Sequence, residues 1–121
     1  MIVTNEGIVP TGAYDGLWTA LLLGETNTGS REVSIQVSHV SPGGEQSLHR
    51  HPESQCYYIL EGRGTMIVDE ETREVGKGDA VFIPGGSLHG IRNGQLDDLV
   101  YLTANQAFGR EAEARTWSDP R

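Results

Sequence analysis

The stretch Gly43-Gly44-Glu45-Gln46-Ser47-Leu48-His49-Arg50-His51-Pro52-Glu53-Ser54-Gln55 carries two of the four histidines of a 121-residue chain, one residue apart. On a β-strand, side chains alternate between the two faces. His49 and His51 then point the same way and Arg50 points away, so both imidazoles can converge on one cation. A helix would splay them. Much further along the chain, His89 offers a third imidazole, and Gln55 offers a neutral oxygen. Imidazole suits Zn, Cu, Fe and Ni, and two or three neutral nitrogens beside an open position is the donor set of catalytic metal centres.

The frame around the pair is as informative as the pair itself. From Gly43, five residues lead to His49-x-His51, three more to Gln55 and six more to Gly62. From Gly78, five residues lead to Pro84-Gly85-Gly86, two more to His89 and three more to Asn93. These blocks resemble the two motifs of the cupin superfamily, G-x5-H-x-H-x3,4-E-x6-G and G-x5-P-x-G-x2-H-x3-N, at every fixed position except one. Gln55 stands where that family most often has Glu. The matched residues, 43–93, cover about two-fifths of the chain. The resemblance implies a small single-domain RmlC-like cupin: an all-β double-stranded β-helix, or jelly-roll barrel, of antiparallel strands. It also implies one divalent transition metal per chain (Mn, Fe, Ni or Zn), held by His49, His51, Gln55 and His89.

Bulk properties agree. A chain of 121 residues is long enough for one hydrophobic core and too short for two. Sixteen Gly and five Pro, with no long apolar helical period, favour turn-rich β structure. The net charge of −8 argues against nucleic acid or an anionic membrane as partner, because phosphate binding needs a cationic surface. The single Cys cannot form an internal disulfide. The start, Met1-Ile2-Val3-Thr4-Asn5-Glu6, lacks the basic and apolar regions of a secretory signal, and no stretch reaches the ~18 apolar residues of a membrane span. A cytoplasmic location is the expectation.

Along the chain, short strands alternate with turns. Residues 18–23 and 33–40 read as strands joined by a polar loop, Thr26-Asn27-Thr28-Gly29-Ser30. In the second strand, Val33, Ile35, Val37 and His39 alternate with Ser34, Gln36, Ser38 and Val40, the pattern of a sheet with one buried face. Further strands are expected at 55–60, 64–68, 73–75, 79–83 and 99–103, besides the one carrying the paired histidines, which makes eight or nine in all. The core barrel is expected at about 17–105. The segment 1–16, with apolar Ile2, Val3, Ile8 and Val9 and little local cover, is expected to extend a neighbour's sheet and make a homodimer. The tail, 106–121, is expected to add one short helical turn.

Strand parity sorts the remaining candidates. Tyr57 and Ile59 share the face of Gln55, so Tyr57 is a candidate catalytic hydrogen-bond donor near the metal. Cys56 has the opposite parity and reads as a small buried apolar residue rather than a thiolate. Met66 and Phe82 are expected to line or plug the core. Asn93 and Asp79 read as turn-closing groups, Glu53 as a solvated loop acid competing weakly as a ligand, and His39 as a packed strand histidine. Gln55 leaves the charge of a divalent ion uncompensated where a carboxylate would cancel part of it. A stronger Lewis acid results, favouring anionic oxygen chelators. Gln55 can instead orient a metal-bound water, leaving the three-histidine centre of some thiol and diketone dioxygenase cupins. The expected function is therefore Lewis-acid chemistry on a small oxygenated substrate (carboxylate, keto or hydroxy), of the isomerase, lyase or cyclase type. A metal-dependent dioxygenase and a non-catalytic small-molecule sensor or storage module are the alternatives. The chain also resembles the small pectin-degradation cupins, whose ligands include a Gln after paired histidines. Its strand 99–103 lacks the acid and arginine expected of them.

Overall fold

The computed structural model describes residues 1–119; Pro120 and Arg121, the end of the expected tail, lie outside the described residues. The elements in chain order are β1 (Thr11–Tyr14), β2 (Leu17–Leu23), α1 (Glu25–Thr28), β3 (Ser34–Val40), β4 (Glu45–His49), β5 (Gln55–Glu61), β6 (Arg63–Val68), β7 (Glu71–Gly76), β8 (Ala80–Ile83), β9 (His89–Arg92), β10 (Leu99–Asn105) and α2 (Arg110–Thr116). They build two antiparallel sheets, one of order β1-β2-β3-β10-β5-β8 and one of order β4-β9-β6-β7. The two sheets face each other as a jelly roll, the architecture expected from the spacing of the short strands.

Turns set the register. Gly62, between β5 and β6, has φ +81°, and a β-carbon there would lie 2.3 Å from the Asp98 carbonyl oxygen. Only glycine meets both demands. Asn93 closes the turn after β9 by donating to the carbonyls of Val40 and Asp97 (both 2.8 Å) while accepting from the Gln95 amide. Asp79 accepts from the Gly76 amide at 2.7 Å. Both are the turn-closing groups expected.

The space between the sheets is divided. At one end, Leu17, Val40, Ile59, Met66, Ile83, Ile91 and Leu99 pack as an apolar core. At the other, the inward residues are polar: Thr19, Gln36, Ser38 and Thr103 face a cavity of about 430 Å³. Tyr57 and Tyr101, stacked with ring centroids 4.7 Å apart, touch both regions. In β3 it is therefore the Ser34/Gln36/Ser38 set that points inward. Val37 points outward, where it packs with Val9, Ala20 and Trp18 in a second cluster on the outer face of the six-stranded sheet.

Several expectations need correction. The polar loop after β2 begins with a helical turn, α1. There its first amides meet the Glu113 carboxylate, which accepts from the Glu25 and Thr26 amides at 2.9 and 2.8 Å and from the Thr26 hydroxyl at 2.6 Å. Phe82 does not plug the core. Ile83 takes the inward position on β8, so Phe82 points out from an edge strand and is 64% exposed. Cys56 is exposed for the same reason, because Gln55, Tyr57 and Ile59 occupy the inward parity of β5. Residues 9–14 are not without a local partner either. β1 pairs with β2 at the sheet's edge, and Val9 is buried. The tail forms α2, which is strapped across the cavity mouth. Trp117 Nε1 donates to Thr19 Oγ1 at 3.2 Å, the Tyr14 hydroxyl donates to the Thr116 carbonyl, and Thr11 and Asp119 exchange backbone hydrogen bonds of 2.7 and 2.9 Å.

Ile59 and Cys56 sit on opposite faces of one strand and should respond oppositely to mutation. Ile59→Ala should lower the unfolding free energy by about 2–5 kcal/mol, while Cys56→Ser stays within about 0.5 kcal/mol of the parent. Urea unfolding monitored by tryptophan fluorescence checks both. A loss above ~1 kcal/mol for Cys56→Ser would place that side chain in the core.

Candidate metal centre

His49 is the last residue of β4 and lies opposite His89, the first residue of β9. His51 is two residues beyond the strand's end, so strand alternation alone does not aim the pair as the sequence suggested. The turn into β5 swings His51 back. The three rings nevertheless cluster, with centroids 4.3 Å apart for His49–His89, 4.9 Å for His51–His89 and 5.5 Å for His49–His51. One ring nitrogen from each lies within 4.8 Å of the others.

Backbone carbonyls decide which nitrogens these are. The Nδ1 atoms of His49, His51 and His89 lie 2.8, 2.9 and 2.8 Å from the carbonyl oxygens of Ser47, Glu53 and Ser87. A carbonyl oxygen only accepts, so each Nδ1 carries the proton and each Nε2 presents its lone pair. Backbone acceptors of this kind orient metal-ligating imidazoles. Gln55, the first residue of β5, is oriented in a similar way. Asn105 Nδ2 donates to the Gln106 carbonyl at 2.7 Å, which leaves Asn105 Oδ1 to accept from Gln55 Nε2 at 3.1 Å. The Gln55 Oε1 atom is then left bare.

Three buried polar atoms have no partner among the described residues: His51 Nε2, His89 Nε2 and Gln55 Oε1. Each is an acceptor, and leaving such a group buried and unpaired costs about 1–3 kcal/mol. At His89 protonation does not relieve it. Burial pushes the His89 imidazole down to about 4, with His49 and His51 adding repulsion and the Ser87 carbonyl opposing in part. Burial likewise lowers His49, with the Ser47 carbonyl opposing and His51 adding to the fall. Both rings are neutral at pH 7, the form that binds metals. Three lone pairs and an amide oxygen fit a divalent transition ion.

The other sequence candidates fall into place around this cluster. Tyr57 is buried, its ring centroid 6.4 Å from that of His89. Burial and then Tyr101 push its hydroxyl well above the ordinary value of 10, so it can donate a proton in a hydrogen bond but not serve as a base near neutrality. Glu53 stands behind His51, its carboxylate 3.8 Å from Nδ1 rather than beside the bare Nε2. His39 lies on the outer face of β3, edge-on to Trp18 and paired with Glu6 at 3.2 Å. It takes no part in the cluster.

Residues missed from sequence complete the cavity. Asn105 fixes Gln55, and Gln36, Ser38 and Thr103 line the wall; for Gln36 and Ser38 the one sequence signal is the polar alternation of β3, which does not tell inside from outside. Phe108, Arg115 and Trp117 come from α2 and its flanks, with the Phe108 ring 5.2 Å from that of His51. Nothing in the tail's sequence marks them.

Residues 36–105 match the family profile described as Cupin domain. A dimethylsulfoniopropionate lyase of Ruegeria pomeroyi is 33% identical over 73 residues, covering 60% of this chain and 47% of the lyase. A 5-nitrosalicylic acid 1,2-dioxygenase of a Bradyrhizobium species is 31% identical over 83 residues, covering 68% of this chain and 40% of the enzyme. The chain spans about half or less of the length of these curated relatives. The solved structure of a polyketide cyclase from Streptomyces resistomycificus superposes with a TM-score of 0.74 at 25% identity, over 87% of this chain and 78% of that one. With more than half of its residues inside the family match and the two histidine blocks at its centre, the chain belongs to the cupin family.

Proposed function

We propose that the chain is a metal-dependent enzyme in which His49, His51, His89 and Gln55 hold one divalent transition ion. The ion supplies Lewis acidity toward a small oxygenated substrate, in an isomerase, lyase or cyclase type of reaction. The observation that carries this reading is the set of buried, unpartnered acceptor atoms on His51, His89 and Gln55, all held in place from behind. The neutral donor set leaves the ion's charge uncompensated, and no Asp or Glu lines the cavity beside it, so an anionic oxygen ligand is favoured. Tyr57 stays protonated and, by turning its hydroxyl from Tyr101 to the ligand, donates a hydrogen bond to substrate oxygen. Phe108 and Trp117 exclude water at the mouth. Likeness to the lyase and the cyclase supports this reaction class; likeness to the dioxygenase supports a second reading, in which the same donors hold a redox-active ion.

Elemental analysis of protein purified without added metal should find one ion per chain. The His49→Ala/His51→Ala double variant should lose it, and metal retained at full stoichiometry there would overturn the assignment. Zinc, or an ion without substrate-dependent oxygen uptake, favours the Lewis-acid reading. Iron with substrate-dependent oxygen consumption favours the dioxygenase.

We also infer a homodimer built on the outer face of the six-stranded sheet. Thr4 Oγ1 donates to the Leu22 carbonyl at 2.7 Å and Glu6 pairs with His39, which lays residues 1–8 along their own sheet with Ile2, Val3 and Ile8 still exposed. Tyr58 and Phe82 on the same face are exposed too. A second copy would cover these apolar groups together. Light scattering should give the mass of two chains for the intact protein and of one chain for a form lacking residues 1–8. A single-chain mass for the intact protein, or an unaltered dimer after truncation, would contradict this.

A further inference from the structure

We propose that Arg115 is the anion-binding group of the cavity and restricts its ligand to small organic carboxylates that carry a second oxygen donor. This deepens the metal-dependent reading above and rests on it for the second contact. Of the chain's 17 acidic residues none lines the cavity, although the net charge is −8. Arg115, in the last turn of α2, is the one lining residue that carries a permanent charge. It has no ion-pair or side-chain hydrogen-bond partner among the described residues, so its guanidinium is available to a ligand. A planar guanidinium suits a carboxylate, to which it donates two parallel hydrogen bonds.

The helix that carries the exposed Arg115 side chain is anchored over the mouth from both sides. The Glu113 carboxylate, buried on the other side of the same helix, takes three hydrogen bonds from α1, and Trp117 reaches down to Thr19. Arg115, His49 and His51 thus line one open-mouthed cavity of about 430 Å³, the size of a site for one small molecule. Between them the wall changes character. Phe108, Ala112 and Trp117 are apolar and suit a carbon skeleton, while Thr19, Ser38 and Thr103 make the far wall polar with their hydroxyl protons already given to Val37, Thr19 and Gln36. A hydroxy or keto acid satisfies all three parts: carboxylate at Arg115, carbon body beneath α2, and second oxygen toward the histidines. A neutral molecule of the same shape leaves the guanidinium without its partner.

Salicylate, with salicylamide as its uncharged counterpart, is a suitable probe pair, and binding to the zinc-loaded full chain can be read by calorimetry and by Trp117 fluorescence. Salicylate should bind more tightly than salicylamide. Arg115→Gln should weaken salicylate about fivefold to fiftyfold, leave salicylamide unchanged, and leave zinc content unchanged. Arg115→Lys should recover part of the loss. Equal salicylate affinity in parent and Arg115→Gln, equal losses for both probes, or no binding of salicylate to the parent would each overturn the proposal. If the parent takes up no zinc and yet prefers salicylate through Arg115, the metal reading fails and the anion site stands. If zinc binds and ligand charge makes no difference, the anion site alone fails.

Discussion

Everything distinctive in this molecule follows from three backbone carbonyls, those of Ser47, Glu53 and Ser87, each holding the Nδ1–H of a histidine two residues away. Without them each imidazole could flip or change tautomer. With them, the lone pairs of three Nε2 atoms are committed to one small volume before any ligand arrives. The local chain geometry that supplies these carbonyls is modest: the end of β4, the turn into β5, and the Pro84-Gly85-Gly86 turn leading to β9. Gln55 adds a fourth acceptor through the same device, with Asn105 in the role of the carbonyl.

That commitment is compatible with folding because the barrel is divided. Its apolar half, around Ile59, Ile83, Ile91 and Leu99, buries enough hydrophobic surface to support the fold. The polar half is then free to keep a cavity. Inward-facing Gln36, Ser38 and Thr103 do not leave their polar groups orphaned: Ser38 donates to Thr19, and Thr103 donates to Gln36, which in turn donates to Ser34. Among the described residues the acceptors on His51, His89 and Gln55 remain the exception, and buried unsatisfied groups in an otherwise satisfied wall mark a site.

Much of this was legible in the sequence, for reasons that can be stated. His49, His51, Gln55 and His89 stand at fixed gaps from glycines that the turns require, and the resemblance of those gaps to the cupin motifs implied one site drawing on β4, β5 and β9. The all-β architecture followed from short alternating segments and abundant turn residues. The aim of His51 was misread, because it depends on a turn rather than on strand parity. Phe82 reads as a core residue from its type, and Cys56 as buried despite a parity opposite to Gln55; both are exposed because Ile83 and Gln55 hold the inward parity of their strands. The inward polar face of β3 and the α2 strap escaped notice because both depend on contacts distant in sequence: Thr19 with Trp117, and Glu113 with Thr26.

The central claim is that the metal-free chain already holds His49, His51 and His89 with each Nδ1–H given to a backbone carbonyl and each Nε2 turned toward the others. Two-dimensional proton–nitrogen NMR of the imidazole side chains in metal-free protein at neutral pH tests it directly. The account predicts Nδ1–H tautomers for His49, His51 and His89, with the Nε2 resonances alone moving strongly when zinc is added. Nε2–H tautomers at these positions, protonated rings at His49 or His89, or zinc-induced shifts centred on Nδ1 would contradict it.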